Sequence, residues 1–268
     1  MKQIPNIFTL LNLVFGCIAI VMIMQPGDAI VTLDNGGSTL VVLPERIGLG
    51  CLFIFAAAVI DFLDGFMARL MKASSEMGRQ LDSLSDVVSF GVAPGMILFQ
   101  LLRMGFAREE NGLDVSLWFL LPAFLFSAAV AWRLAKFNIT SQVTTFRGVP
   151  SPAAGLLVAS FPLIIKYSTY EGLGAWFINP WILYAVIIVV GYLMVSNLRF
   201  LSLKFTDYSF KRNLVKYVLL GASVACIVFL GWLSVPVIFI LYLLSSALSR
   251  EETVVLPSSY NTTHDVTV

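Results

Sequence analysis

The stretch Ile47-Gly-Leu-Gly-Cys-Leu-Phe-Ile-Phe-Ala-Ala-Ala-Val-Ile-Asp61-Phe-Leu-Asp64-Gly65-Phe-Met-Ala68-Arg69-Leu70 holds an apolar run and, in the same helical reach, two carboxylates. A hydrocarbon layer of about 30 Å takes about 20 apolar helical residues to cross, so the run is long enough to span it. A charged side chain at depth costs roughly 2.5–3.5 kcal/mol on insertion scales, so the aspartates call for a compensating role.

The rest of the chain repeats the apolar pattern. With 58% hydrophobic and 12% charged residues among 268, the charges collect in short segments between apolar runs. A soluble domain would spread them over its faces, so the composition predicts an all-α, polytopic membrane bundle. Hydropathy places eight spans near Phe8–Met24, Ile47–Leu70, Leu81–Leu102, Ser116–Ala135, Ser151–Ile165, Pro180–Val195, Val215–Gly231 and Leu233–Leu248. The last two form either a tight hairpin or one longer broken helix. The first span has Lys2 alone ahead of it and no small-residue cleavage site, so it is expected to be retained. Residues 1–250 make one transmembrane unit, and the polar tail Glu251–Val268 is expected to be mobile.

With the amino terminus in the cytoplasm, only Arg46, Arg103, Arg108 and Lys166 of the 17 basic residues fall on the outer side. The positive-inside rule therefore predicts a cytoplasmic amino terminus. Trp118, Trp176, Trp181 and Trp232 lie near span ends, where amphipathic rings sit at the interface. The outer segment Gln25–Glu45 does not read as a folded domain. Cys17, Cys51 and Cys226 are odd in number and fall in apolar spans, and the single histidine, His264, lies in the tail. A disulfide framework and a thiolate zinc site are thus excluded, and any metal is a hard ion held by carboxylates, such as magnesium, manganese or calcium. No nucleic-acid partner is expected.

A second polar stretch, Gly78-Arg-Gln-Leu-Asp82-Ser-Leu-Ser-Asp86, follows the first. At about 100° per residue Asp61 and Asp64 share one helix face, and Gly78, Asp82 and Asp86 form a second stripe that drifts about 40° per step. Facing helices would bring four carboxylates together, and such a group stays ionised only with cations between its members. Two divalent ions would satisfy it, and a metal pair suits phosphoryl transfer. Gly65, Ala68 and Gly78 remove bulk beside the acids, and Arg69 offers a planar fork for phosphate. The competing readings are pairing of the acids with Arg69 or Arg133, or an ion path of a coupled transporter. Neither requires glycines in register with the acids.

The pattern at Asp61, Asp64, Gly65, Ala68, Arg69, Gly78, Asp82 and Asp86 resembles, at every position, the signature of the CDP-alcohol phosphatidyltransferase family. The resemblance implies that Asp61, Asp64 and Asp82 hold a metal pair, magnesium or manganese. It implies that Asp86 joins them and acts as general base, and that Gly65, Ala68, Arg69 and Gly78 hold the CDP group. It also implies a homodimer. Pro5-Asn-Ile-Phe-Thr-Leu-Leu-Asn12, Arg133-Leu-Ala-Lys-Phe-Asn138, Phe146-Arg-Gly-Val-Pro-Ser-Pro-Ala-Ala154 and Leu193-Met-Val-Ser-Asn-Leu-Arg199 are similar to the phosphatidylserine synthase branch, so the likeness spans roughly residues 5 to 205. Two departures are Lys136, where that branch has arginine, and the long segment Gln25–Glu45.

What the branch implies is transfer of the phosphatidyl group of CDP-diacylglycerol to the hydroxyl of L-serine in the bacterial cytoplasmic membrane. The site would open to the cytoplasmic leaflet, where membrane lipid supplies the donor. Serine brings a carboxylate and an ammonium, and Arg133, Lys136, Asn138 and Arg147 cluster on the expected side to bind the carboxylate. Basic residues there also anchor to lipid phosphates. Acceptors such as glycerol-3-phosphate, phosphatidylglycerol or an inositol phosphate remain open alternatives.

Overall fold

A computed structural model describes residues 4–25, 32–33, 39–40, 46–71, 75–108, 115–139, 148–168, 172–198 and 214–248. Arg147 and the tail Glu251–Val268 lie outside the described residues. The architecture is an all-helical bundle, and each of the eight expected spans has its counterpart.

Helix α1 (Ile4–Met24) lies against α2 (Ile47–Leu70) along much of its length. Close approach is possible because Gly50 has no side chain: a Cβ there would stand 2.9 Å from Ala19 O and 2.6 Å from Ile23 Cγ1. Small residues let helices meet through their backbones where lipid offers no hydrophobic drive. Between α1 and α2 the described residues include a two-residue antiparallel ladder, β1 (Thr32–Leu33) with β2 (Thr39–Leu40), pairing Thr32 with Leu40 and Leu33 with Thr39.

The third span is longer than hydropathy implies. Helical backbone runs from Glu76 to Phe106 as α3 (Glu76–Asp86), a π-helical turn (Val87–Val92) and α4 (Ala93–Phe106). Ser75 caps its start by accepting from the Gly78 amide at 3.0 Å. The π turn has a local cause. Pro94 lacks an amide proton, and its ring crowds the carbonyl four residues back, so the ladder slips and the Ala93 amide bonds Val88 O instead. Gly155 of α6 (Ser151–Tyr167) then approaches the bulged backbone, since a Cβ there would lie 3.1 Å from Phe90 Cα.

This composite helix is the axis of the bundle. Its most hydrophobic window is 67% buried, against 28% for α1 and 39% for α2. Phe90, Ile97, Leu98 and Leu101 contribute to the core together with Phe126 of α5 (Ala123–Ile139) and Leu163 of α6. Helix α5 starts later than expected, after a 3-10 turn (Leu117–Phe119) and further hydrogen-bonded turns through Pro122, and it continues to Ile139. Helix α6 begins with proline in its first turn, as anticipated for Pro150-Ser-Pro152.

A short α7 (Leu173–Ile178), which hydropathy does not resolve, follows Gly172 at φ 80°, a left-handed conformation favouring glycine. Asn179 then caps α8 (Pro180–Val195) through the Trp181 and Ile182 amides. Near these elements Tyr184 Oη bonds Phe119 O at 2.5 Å, and Trp118, Trp176 and Trp181 are exposed. That end of the bundle lies opposite the carboxylates.

The apolar stretch Leu214–Ser246 is two helices, α9 (Leu214–Leu230) and α10 (Ser234–Leu248), separated by a 3-10 turn (Gly231–Leu233) in which Gly231 has φ 53°. The two pack against each other, which a continuous helix could not do, so the hairpin is the observed form. Only 6% of the window is buried, and Val228 and Phe229 are exposed, as suits a peripheral, lipid-facing pair. The chain is an integral membrane protein. All three cysteines are free.

Candidate active site

The site is built where α2 and α3 face each other across the start of α1. Asp61 and Asp64 project from one face of α2, Asp82 from α3, and Asp86 is the last residue of α3 before the π turn. Carboxylate oxygens of Asp61, Asp64 and Asp82 lie within 4.8 Å of one another. Asp61 is within hydrogen-bonding reach of Asp82 and of Asp86. Asp64 and Asp86 are buried. The two stripes read from the sequence therefore converge.

Among the described residues no lysine or arginine forms a salt bridge with any of the four aspartates, and the ion pair observed is Arg79 with Glu76, 3.8 Å apart on the surface of α3. Arg69 turns back along its own helix, with Nε donating to Gly65 O at 2.9 Å. Arg133 of α5 is near enough to Asp86 to interact electrostatically, yet its Nη1 donates to Ser151 Oγ at 2.7 Å. Pairing with Arg69 or Arg133 thus does not explain the cluster.

The donor set does fit a hard divalent ion, since carboxylate oxygens at this spacing are the ligands such ions take. A further oxygen donor, Asn12 Oδ1, is buried without a hydrogen-bond partner, and the same amide's Nδ2 donates to Asp86 Oδ1 at 3.4 Å. Asp61, Asp64 and Asp82 can hold a metal ion.

The remaining expected residues divide. At Gly65 a Cβ would meet nothing within 4 Å, so the backbone beside Asp64 faces open space. At Gly78 a Cβ would stand 2.9 Å from Asn6 Oδ1 and 3.0 Å from Ser75 Oγ, so polar atoms line that position. Ala68 is half-buried and Arg69 exposed. Arg133 stands beside the cluster with its Nε buried and unpartnered. Lys136 donates to Asn197 Oδ1 at 2.7 Å, and Asn138 donates to Ser83 Oγ at 2.9 Å, tying α5 to α3 one residue past Asp82.

Helix α1 supplies neighbours whose roles the sequence did not disclose. Thr9 Oγ1 donates to Asp64 Oδ2 at 2.9 Å, and Asn12 reaches Asp86. The signal was present as polar residues Asn6, Thr9 and Asn12 at three-residue spacing in an otherwise apolar helix. Ser151, fully buried at the start of α6, holds Arg133, and Tyr242 of α10 lies close enough to Arg133 to interact electrostatically.

Fold and cluster together define an integral membrane protein with a buried carboxylate centre able to hold a divalent cation. The chain belongs to the CDP-alcohol phosphatidyltransferase family, whose model matches residues 2–191. A Helicobacter pylori protein (strain ATCC 700392 / 26695) is 38% identical over 168 residues, covering 61% of this chain and 65% of the relative. A Bacillus subtilis protein is 33% identical over 201 residues, covering 75% and 90%, and one from Methanocaldococcus jannaschii is 33% identical over 148 residues, covering 55% and 61%. All three relatives are named CDP-diacylglycerol–serine O-phosphatidyltransferase. The chain thus spans just under two thirds of the length of the Helicobacter relative.

Proposed function

We propose that this protein transfers the phosphatidyl group of CDP-diacylglycerol to the hydroxyl of L-serine, giving phosphatidylserine and CMP. The observation that carries the proposal is the convergence of Asp61, Asp64 and Asp82, with Asp86 beside them, and with no salt bridge to any described lysine or arginine, in a chain whose relatives carry that enzyme's name.

Asp61, Asp64 and Asp82, joined by Asp86, would hold two magnesium or manganese ions. When bound, such ions neutralise the diphosphate and stabilise the departing CMP. The open face at Gly65, with Ala68, Arg69 and Gly78, receives the CDP group, and the Arg69 guanidinium is the phosphate donor. Asp86 takes the proton from the serine hydroxyl. The serine oxygen then bonds to the lipid-bearing phosphorus as the bond from that phosphorus to CMP breaks. Arg133 is the main binder of the serine carboxylate, with Lys136, Asn138 and Arg147 contributing at the same end. The Arg133 guanidinium beside Asp86 offers a planar donor fork to the serine carboxylate.

The enzyme works in the bacterial cytoplasmic membrane as a homodimer, with residues 1–250 as its transmembrane unit and with amino terminus and site on the cytoplasmic side. CDP-diacylglycerol enters sideways from the lipid. The test is to incubate membranes holding the protein with CDP-diacylglycerol and separate alcohols, and to follow CMP. Release with serine alone is expected. Release with glycerol-3-phosphate, phosphatidylglycerol or an inositol phosphate instead would reassign the acceptor, and no release with any alcohol would favour an ion-coupled transporter.

A further inference from the structure

Helix α1 is fastened to both helices that carry the aspartates, α2 and α3 with its π turn, by a set of buried hydrogen bonds. Ser85 Oγ donates to Thr9 O at 3.0 Å, while the Thr9 side chain donates to Asp64 Oδ2 at 2.9 Å. One turn further on, Ser89 Oγ donates to Asn12 O at 3.0 Å, while the Asn12 side chain donates to Asp86 Oδ1 at 3.4 Å. Ser85 and Ser89 flank Asp86, and Ser89 lies in the π turn. A Cβ at Gly16 would collide with Ser89 Oγ, so the missing side chain there is what lets the two backbones come this close. Thr9, Asn12, Ser85 and Ser89 are all buried.

In each pair one carboxylate oxygen is tied to α1, Oδ2 of Asp64 and Oδ1 of Asp86, so the second oxygens, Oδ1 and Oδ2 respectively, are the ones this bond does not engage. Hydrogen bonds that fix one oxygen of a ligating carboxylate orient the other and typically matter 10–100-fold in metal affinity. Asn12 carries a cost that stability alone does not repay. Its Oδ1 is buried and unpartnered, which typically costs about 1–3 kcal/mol, while its Nδ2 faces the carboxylate.

We propose that Thr9 and Asn12 are positioning residues, Thr9 turning Asp64 Oδ1 toward the divalent ion and Asn12 turning Asp86 Oδ2 toward the acceptor hydroxyl. This rests on the metal and acceptor roles proposed above for those aspartates.

The test uses the full chain in detergent, with Mn2+ binding followed by the electron paramagnetic resonance of free Mn2+ and the fold checked by thermal unfolding. Thr9→Val keeps the shape and removes the donor, whereas Thr9→Ser restores it. Thr9→Val is expected to weaken Mn2+ binding about tenfold, and Thr9→Ser to stay near wild type at a similar unfolding temperature. Asn12→Leu is expected to lower kcat about tenfold or more with the KM for CDP-diacylglycerol little changed. If the wild type binds Mn2+ and Thr9→Val binds it equally well, or if Thr9→Ser is as weak as Thr9→Val, the role of Thr9 is overturned. An Asn12→Leu protein with unchanged kcat overturns that of Asn12. Failure of the wild type to bind Mn2+ would instead remove the metal assignment itself, and the Thr9 role with it.

Discussion

Arg133 of α5 and Ser151, the first residue of α6, are joined by a 2.7 Å hydrogen bond from Nη1 to a fully buried hydroxyl. The bond fixes the guanidinium beside Asp86 while leaving its Nε buried and without a partner. A donor group held in place with unused capacity is ready for an anionic ligand. Ser151→Ala is therefore expected to raise the KM for serine about three- to tenfold, the worth of one hydrogen bond of about 0.5–1.5 kcal/mol. The KM for CDP-diacylglycerol should not move. Steady-state kinetics with each substrate varied in turn checks this, and a change confined to the lipid substrate would detach Arg133 from serine.

Gly65 and Gly78 should respond differently to added bulk. Gly65 faces open space, so Gly65→Leu is expected to preserve the unfolding temperature in detergent and to weaken CDP-diacylglycerol binding at least about tenfold, a loss of about 1.4 kcal/mol. Gly78→Leu pushes against Asn6 and Ser75 and is expected to lower both nucleotide binding and stability, the latter by about 1–3 kcal/mol. Binding and melting measured on the same preparations separate the two. Undiminished nucleotide affinity in Gly65→Leu would move the CDP group elsewhere.

Divalent metal should be required. Excess EDTA is expected to stop CMP release, and adding magnesium or manganese beyond the chelator to restore it, because four converging carboxylates cannot accept a diphosphate unaided. Full turnover in excess EDTA would contradict the metal role of Asp61, Asp64 and Asp82.

Most of the fold could be read from hydropathy because lipid-facing helices advertise themselves, and α2, with its apolar run and Asp61 and Asp64, showed both span and site. The exceptions share a physical reason. Glu76–Gln80 is helical but polar, so a window that averages apolar character begins only at Leu81, although Ser75 marks the true start as a cap. The π turn was encoded by Pro94, whose effect falls on the residues before it. The carboxylate cluster was legible because its members recur at helical spacing on two neighbouring segments. Thr9 and Asn12 were harder to recognise because their partners lie 55 and 74 residues away in sequence, and only the packing of α1 against the site reveals the pairing. Lys136 and Asn138 look like site residues by position, but their bonds to Asn197 and Ser83 join segments distant in sequence and could not be read from it.

The most direct test compares serine-dependent CMP release by the wild type and by Asp86→Asn, at saturating magnesium or manganese and with CDP-diacylglycerol binding measured alongside. The substitution keeps the size of the side chain but removes the base and a negative charge. The wild type should release CMP with serine, and Asp86→Asn should do so at least about 100-fold more slowly while still binding CDP-diacylglycerol. An Asp86→Asn protein that turns over serine near the wild-type rate would contradict the assignment of Asp86 as the base, and one that loses nucleotide binding even at saturating metal would make Asp86 a ligand rather than a base.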